Sequence, residues 1–336
     1  MKPVIGLVLA GGGAKGAYQV GALTYLAELG LQPHIIAGTS IGALNGAVLA
    51  SYSSLKQGVN RLNQLWDHLA ESPIIRPNTT TVIKGMGYLA QSLVPSFNQW
   101  IIDALEAMGF LGDHNAIFNP TPIEDLLSET INLQSLQRGT ELWVTVFPSL
   151  KIPGISYNLL MAGIDLLRAK TGTQAHWLRA QDCENDEILH NLPLSSAAIP
   201  LVFPEREVNG QHYVDGALAN NIPLEALAIK GCTHAIIIHL DNGEIWNRQD
   251  FPDQGIIEIR PQARINHSDL PLLGFAGSLI DFSPEYISKL KQRGYEDAKK
   301  CMQPIILTME TILEQRQSHD SMVNSSLKLL NDEPLF

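Results

Sequence analysis

Two apolar runs in the first fifty residues, Val4–Ala10 and His34–Ala37, each end at glycines and each lead into a helical stretch. Val4–Ala10 is continuously apolar, as expected of a strand buried on both faces of a parallel sheet. It is followed by Gly11-Gly12-Gly13-Ala14-Lys15-Gly16, then by a helix over Ala17–Leu29 that stops at Gly30. Pro33 precedes the second strand, which ends in Gly38-Thr39-Ser40-Ile41-Gly42 and turns into the small-residue helix Ala43–Ser51. Strand, helix, strand, helix in this order implies neighbouring parallel strands joined by a crossover, and restricts the chain to an α/β fold.

Ser40 stands in the G-x-S-x-G pattern of a sharp strand-to-helix turn. Gly38 and Gly42 flank it because such a turn leaves little room for side chains. The turn holds a hydroxyl at the end of a strand, with the N–H groups and positive dipole end of a helix behind it. The Gly11–Gly16 loop ends the neighbouring strand and offers exposed backbone N–H groups to a developing oxyanion. The same loop also matches the G-x-G-x-x-G of dinucleotide sites. Those sites want an acidic residue at the end of the second strand, and here that strand ends in Gly38-Thr39-Ser40. A nucleotide-binding or regulatory α/β module is the alternative reading of this loop.

Further along, Leu55–Leu69 has the spacing of an amphipathic helix with Trp66 on its apolar face. Val82–Leu111 is apolar, broken by Gly85, Gly87 and Pro95 and poor in charge, and reads as inserted helices covering the sheet, as a mobile cap over a lipid site or as a membrane-facing segment. Thr121-Pro122-Ile123-Glu124 is a capping box that opens a helix to about Ile131, and Glu141–Phe147 alternates as a strand. Ile155–Leu160 and His176–Ala180 are weaker strand candidates, and Asn185–Ala198 reads as a helix. Glu205–Val208 and Gln211–Val214 form a hairpin around Asn209-Gly210, which delivers Asp215-Gly216-Ala217 directly after a strand. A helix over Pro223–Ile229 and strands over His234–Leu240 and Ile256–Ile259 follow. Helices are expected from Ser283 to about Lys300 and from Pro304 to Gln317, with a poorly ordered polar tail from Ser318.

The net charge of −11 argues against generic nucleic-acid binding. Three scattered cysteines, Cys183, Cys232 and Cys301, make neither a disulfide framework nor a zinc site and fit a reducing, cytoplasmic setting. The short N-terminal apolar run reads as a buried strand rather than a signal peptide.

Together, the glycine loop, the Ser40 turn and the Asp215-Gly216-Ala217 corner resemble the patatin-like phospholipases, a family of lipid acyl hydrolases. Ser195-Ser196-Ala197-Ala198-Ile199-Pro200, Phe203-Pro204 and Asn220-Asn221-Ile222-Pro223 reinforce the likeness. It implies a three-layer sandwich with a mostly parallel central sheet over residues 1–317, a mainly helical insertion or cap at 55–135, and a tail at 318–336. It also implies a Ser-Asp dyad without histidine. Ser40 would be the nucleophile and Asp215 the general base, with Gly11, Gly12, Gly13, Ala14, Lys15 and Gly16 as the oxyanion loop. Gly38, Gly42, Gly216 and Ala217 would support them. The substrate would be a fatty acyl ester of a lipid, met with peripheral membrane contact, and neither metal nor cofactor is expected. A Ser-His-Asp triad drawing on His234, His239, His267 or His319 is the chemical rival, since all four follow Asp215 in the chain.

Overall fold

A computed structural model describes residues 3–71, 121–150, 159–199, 205–242, 246–265 and 281–332. The apolar segment 82–111 and His267 lie outside the described residues. The first fifty residues fold as their pattern requires: β1 (Ile5–Leu9), α1 (Gly16–Glu28), β2 (Ile35–Thr39) and α2 (Ile41–Ala50). There follow α3 (Leu55–Glu71), α4 (Thr121–Thr130), α5 (Leu133–Arg138), β3 (Glu141–Pro148), α6 (Leu159–Lys170), β4 (His176–Arg179) and α7 (Asp186–Ser196). The chain continues through β5 (Arg206–Val208), β6 (Gln211–Asp215), α8 (Leu224–Ile229), β7 (His234–Ile238), β8 (Gly255–Ile259) and α9 (Pro284–Asp332).

The strands form one sheet in the order β5-β6-β3-β2-β1-β7-β8, with β4 paired beside β3. From β3 to β8 every neighbouring pair is parallel, whereas β4 and β6 each pair antiparallel with β3, and β5 antiparallel with β6. Side chains alternate between two cores, as the two-residue period of a strand demands. Leu7, Leu9, Ile36, Val144, Ile236 and Ile238 face α1, α2 and α3 on one side. Val8, Ile35, Ala37, Ala235 and Ile237 face α8 on the other. The Asn209-Gly210 turn has positive φ at both residues, 51° and 78°, the geometry that suits a tight hairpin.

Three sequence expectations change. Leu159 and Leu160 begin helix α6 rather than end a strand, while residues 151–158 are not described. Helix α5, starting at an Asn132 side chain that accepts from the Ser135 N–H at 2.9 Å, was not foreseen. The tail expected to be poorly ordered from Ser318 is instead the continuation of α9, which runs unbroken to Asp332 with Pro304 inside it. The first half of α9 packs along α1. The Tyr18 hydroxyl donates to Asp297 at 3.0 Å, and Tyr25 meets Tyr295 edge-on at 5.3 Å.

Behind the glycine loop lies a buried polar relay. The Trp66 indole N–H donates to Asn45 Oδ1 at 3.0 Å, and Asn45 Nδ2 donates to Gln19 Oε1 at 2.8 Å and to Gly16 O at 3.3 Å. Gln19 Nε2 then donates to Ala10 O at 2.7 Å. Both ends of the loop are thereby tied to α1, α2 and α3. Asn45→Leu removes the centre of the relay and leaves the Trp66 indole N–H and Gln19 Oε1 buried without the partner each has in Asn45. We expect it to destabilise the protein by about 3 kcal/mol, read as a fall in urea midpoint at unchanged m-value.

Candidate active site

Ser40 sits at the N-cap of α2 with φ 55° and ψ −125°, in the left-handed region that a non-glycine residue occupies only under constraint. The neighbours explain the constraint. A Cβ on Gly38 would lie 2.4 Å from Gly42 O, and one on Gly42 would lie 2.2 Å from Leu9 O. The elbow is therefore folded against its own first turn and against β1. The Ser40 carbonyl accepts from the N–H groups of Ala43 and Leu44, at 2.9 and 3.2 Å. Its N–H donates to Ser196 Oγ at 2.8 Å, and that hydroxyl in turn donates to Thr145 O at 2.5 Å.

The sheet register brings Asp215 to the same place. Thr39 lies opposite Thr145 on β3, and the next residue of β3, Val146, lies opposite Asp215 on β6. Ser40 and Asp215 thus flank the end of one intervening strand, two inter-strand spacings or about 10 Å apart across the sheet. Asp215 is fully buried. Its N–H donates to Ala198 O at 2.9 Å, and its Oδ1 accepts from the Ala217 N–H at 2.9 Å. Gly216 is packed against the Thr145 carbonyl, 2.3 Å from where a Cβ would stand.

Burial pushes the Asp215 carboxyl up to about 7, against the opposing pull of the Ala217 N–H and the Ser40 hydroxyl. Oδ2 nevertheless has no partner within ordinary hydrogen-bond geometry. The Ser40 hydroxyl is therefore close enough to act on the carboxyl, but outside ordinary hydrogen-bond geometry.

The segment Ser196–Ala198 grips both residues at once, through the Ser196 hydroxyl on Ser40 and the Ala198 carbonyl on Asp215. Ser196→Ala frees the Ser40 N–H. The expected result is a fall in kcat of about 10²-fold with little change in KM. Ser196→Thr, which keeps the hydroxyl, should retain most of the rate.

Not every member of the Gly11–Gly16 loop is free to donate. Gly11 N–H is bound to Asn221 Oδ1 at 3.0 Å, Lys15 N–H to Gly12 O at 3.2 Å, and Gly16 N–H to the carbonyls of Gly13 and Ala14. Gly12, Gly13 and Ala14 keep N–H groups without such an acceptor among the described residues, at a loop whose Gly13 has φ 55°. The Gly11 Cβ position lies 3.0 Å from Ser40 Cβ, and that of Gly16 lies 2.5 Å from Ile41 Cγ1, so the loop packs directly on the elbow. The Lys15 side chain is buried.

The histidines stand elsewhere. His234 is exposed and meets the Thr233 hydroxyl at 2.9 Å, and His319 is exposed on α9. His239 is buried at the end of β7, 3.1 Å from the Glu258 carboxylate. None of these three is among the groups that shift Asp215.

A family model for patatin-like phospholipases matches residues 7–228. The chain belongs to the patatin-like phospholipase family. Similar curated proteins include the rat "Patatin-like phospholipase domain-containing protein 7", 32% identical over 250 residues, or 74% of this chain and 14% of the rat protein. "Lysophospholipase nte1" of Aspergillus terreus is 45% identical over 69 residues, 18% of this chain and 4% of the fungal protein. This patatin-like chain therefore spans about a seventh or less of the length of these relatives. Among solved structures, human GIVD cytosolic phospholipase A2 matches with a TM-score of 0.45 at 13% identity, covering 94% of this chain and 59% of the human one. VipD from Legionella pneumophila matches with a TM-score of 0.39 at 15% identity, covering 89% of this chain and 66% of that protein.

Proposed function

We propose that this patatin-like chain is a lipid acyl hydrolase that cleaves fatty acyl esters of phospholipids or lysophospholipids through a Ser40–Asp215 dyad. The observation that carries the reading is the buried Asp215 carboxyl, held near neutral pKa beside a strained serine elbow. A carboxylate tuned to this range can take a proton from a hydroxyl at physiological pH. Asp215 removes the Ser40 proton as Oγ attacks the ester carbonyl. The carbonyl oxygen becomes an oxyanion facing the free N–H groups of Gly12, Gly13 and Ala14, while Gly11 and Gly16 hold the loop in shape. Collapse of the tetrahedral intermediate expels the alcohol, which takes the proton back from Asp215, and leaves an acyl ester on Ser40. Water, deprotonated by the same carboxylate, then releases the fatty acid and restores the hydroxyl. The names of the relatives, several of them lysophospholipases, support the choice of substrate class.

The test is release of fatty acid from lysophosphatidylcholine as a function of pH. The base must be ionised to act, so kcat/KM should rise with pH through about 7 and level off above it. A rate that falls across that interval, or no release from any acyl ester of a lipid panel, would contradict the proposal.

A further inference from the structure

Helix α9 is 49 residues long, about 74 Å at the α-helical rise, and only its first half is used by the fold. Ile287, Leu290 and Ala298 are buried and Met302 packs against the core edge, but every residue from 307 to 327 is exposed. The exposed part is not polar all round. Met309, Leu313, Val323 and Leu327 are 43–63% exposed, an apolar surface on a single helix that none of the described residues covers.

These residues lie in a heptad register. Ile306, Met309, Leu313, Arg316, Asp320, Val323, Leu327 and Leu330 follow one another at alternating spacings of three and four, the a/d pattern of a two-stranded coiled coil. Ile312 flanks the stripe, while Leu307 and Met322 lie off it. Two charges of opposite sign, Arg316 and Asp320, occupy adjacent central positions of an otherwise apolar seam.

The order of these residues is self-complementary when reversed. Laying two copies antiparallel about Ser318 sets Met309 against the partner's Leu327, Leu313 against the partner's Val323, and Arg316 against the partner's Asp320. Ile306 falls opposite the register position of the partner's Leu330. Each contact occurs twice, as an isologous two-fold interface requires. A parallel pair would instead stack Arg316 on Arg316 and Asp320 on Asp320. Paired charges at seam positions cost stability but fix orientation and register. The charged residues along the seam, from 306 to 330, are Glu310, Glu314, Arg316, Asp320 and Lys328, a balance with no basic excess to favour an anionic lipid surface as occupant.

We propose that the free half of α9 is a dimerisation element that forms an antiparallel two-stranded coiled coil with the same helix of a second copy, clamped at its centre by reciprocal Arg316–Asp320 pairs. The partner is a second copy of this chain, and the inference does not depend on the catalytic reading.

The test is sedimentation of the full chain over a concentration series, with circular dichroism to confirm helix content. The wild type should sediment as a dimer. Arg316→Asp, which sets two carboxylates against each other at each pair, should raise the dissociation constant at least about tenfold. Asp320→Arg alone should do the same, and the double variant Arg316→Asp/Asp320→Arg should restore the dimer. In a Cys301→Ser background, a mixture of Leu313→Cys and Val323→Cys should cross-link on oxidation, while neither variant alone should. A wild type that stays monomeric at every concentration overturns the proposal, as does a double variant that fails to recover. Cross-linking of either cysteine variant alone would overturn the antiparallel arrangement. A monomer that binds phosphatidylcholine vesicles through α9 would assign the stripe to a lipid surface instead.

Discussion

Asp215→Asn should lower turnover of a lysophospholipid ester by about 10³- to 10⁴-fold, the full contribution of a positioned general base. The fold should survive, because asparagine can still accept the Ala217 N–H through its Oδ1, and the backbone bond to Ala198 is untouched. The same variant should change stability in a pH-dependent way, and its sign follows from the direction of the shift. Asp215 has a folded pKa of about 7, above its ordinary value of 3.8. Between these values the folded protein holds a proton that the unfolded chain has lost, so wild-type stability declines as pH rises through that window. Above it the cost of the buried charge is complete, on the order of 4 kcal/mol from a shift of this size. Asparagine carries no such charge. The melting temperature of Asp215→Asn should therefore exceed that of the wild type at pH 8, by a margin that shrinks toward pH 4. A variant that keeps wild-type turnover, or whose stability advantage grows toward acid, contradicts the role given to this carboxyl.

Ser40→Ala should have the largest effect of any single change, a loss of about 10⁶-fold in kcat if the hydroxyl is the nucleophile. Alanine retains the N–H that binds Ser196 and the carbonyl that caps α2, which are the groups that hold the elbow. Thermal stability should stay close to wild type, since the strained φ is unchanged between two residues that both carry a Cβ. Circular dichroism and activity measured on the same preparation would separate loss of chemistry from loss of fold.

The parts of the site that were legible in the sequence are those set by local backbone geometry. The Gly38–Gly42 turn, the Asn209-Gly210 hairpin and the Asp215 corner each carry their signal within a few residues, and the continuous apolar runs of β1, β2 and β7 mark strands buried on both faces of a parallel sheet. Contacts between distant side chains left no such signal. Ser196 meets Ser40 across 156 positions, and nothing in its immediate neighbours marks which backbone group its hydroxyl will find. Trp66 read as an apolar core residue because its helical spacing says only which face it occupies; that its indole N–H anchors Asn45 follows from three helices packing together. The glycine loop read as a uniform rim of donors, yet Asn221 occupies one N–H and the 3₁₀ turn over Gly13–Lys15 consumes others. The C-terminal stretch read as a tail because its average polarity hides a seven-residue period with charges at its centre.

The central claim is that Ser40 is the activated nucleophile, and reaction with a long-chain alkyl fluorophosphonate followed by peptide mass mapping tests it most directly. A single adduct on the peptide containing Ser40, absent from Ser40→Ala and formed much more slowly in Asp215→Asn, is the predicted result. An adduct on a different residue, or inactivation of ester hydrolysis with Ser40 unmodified, would contradict it.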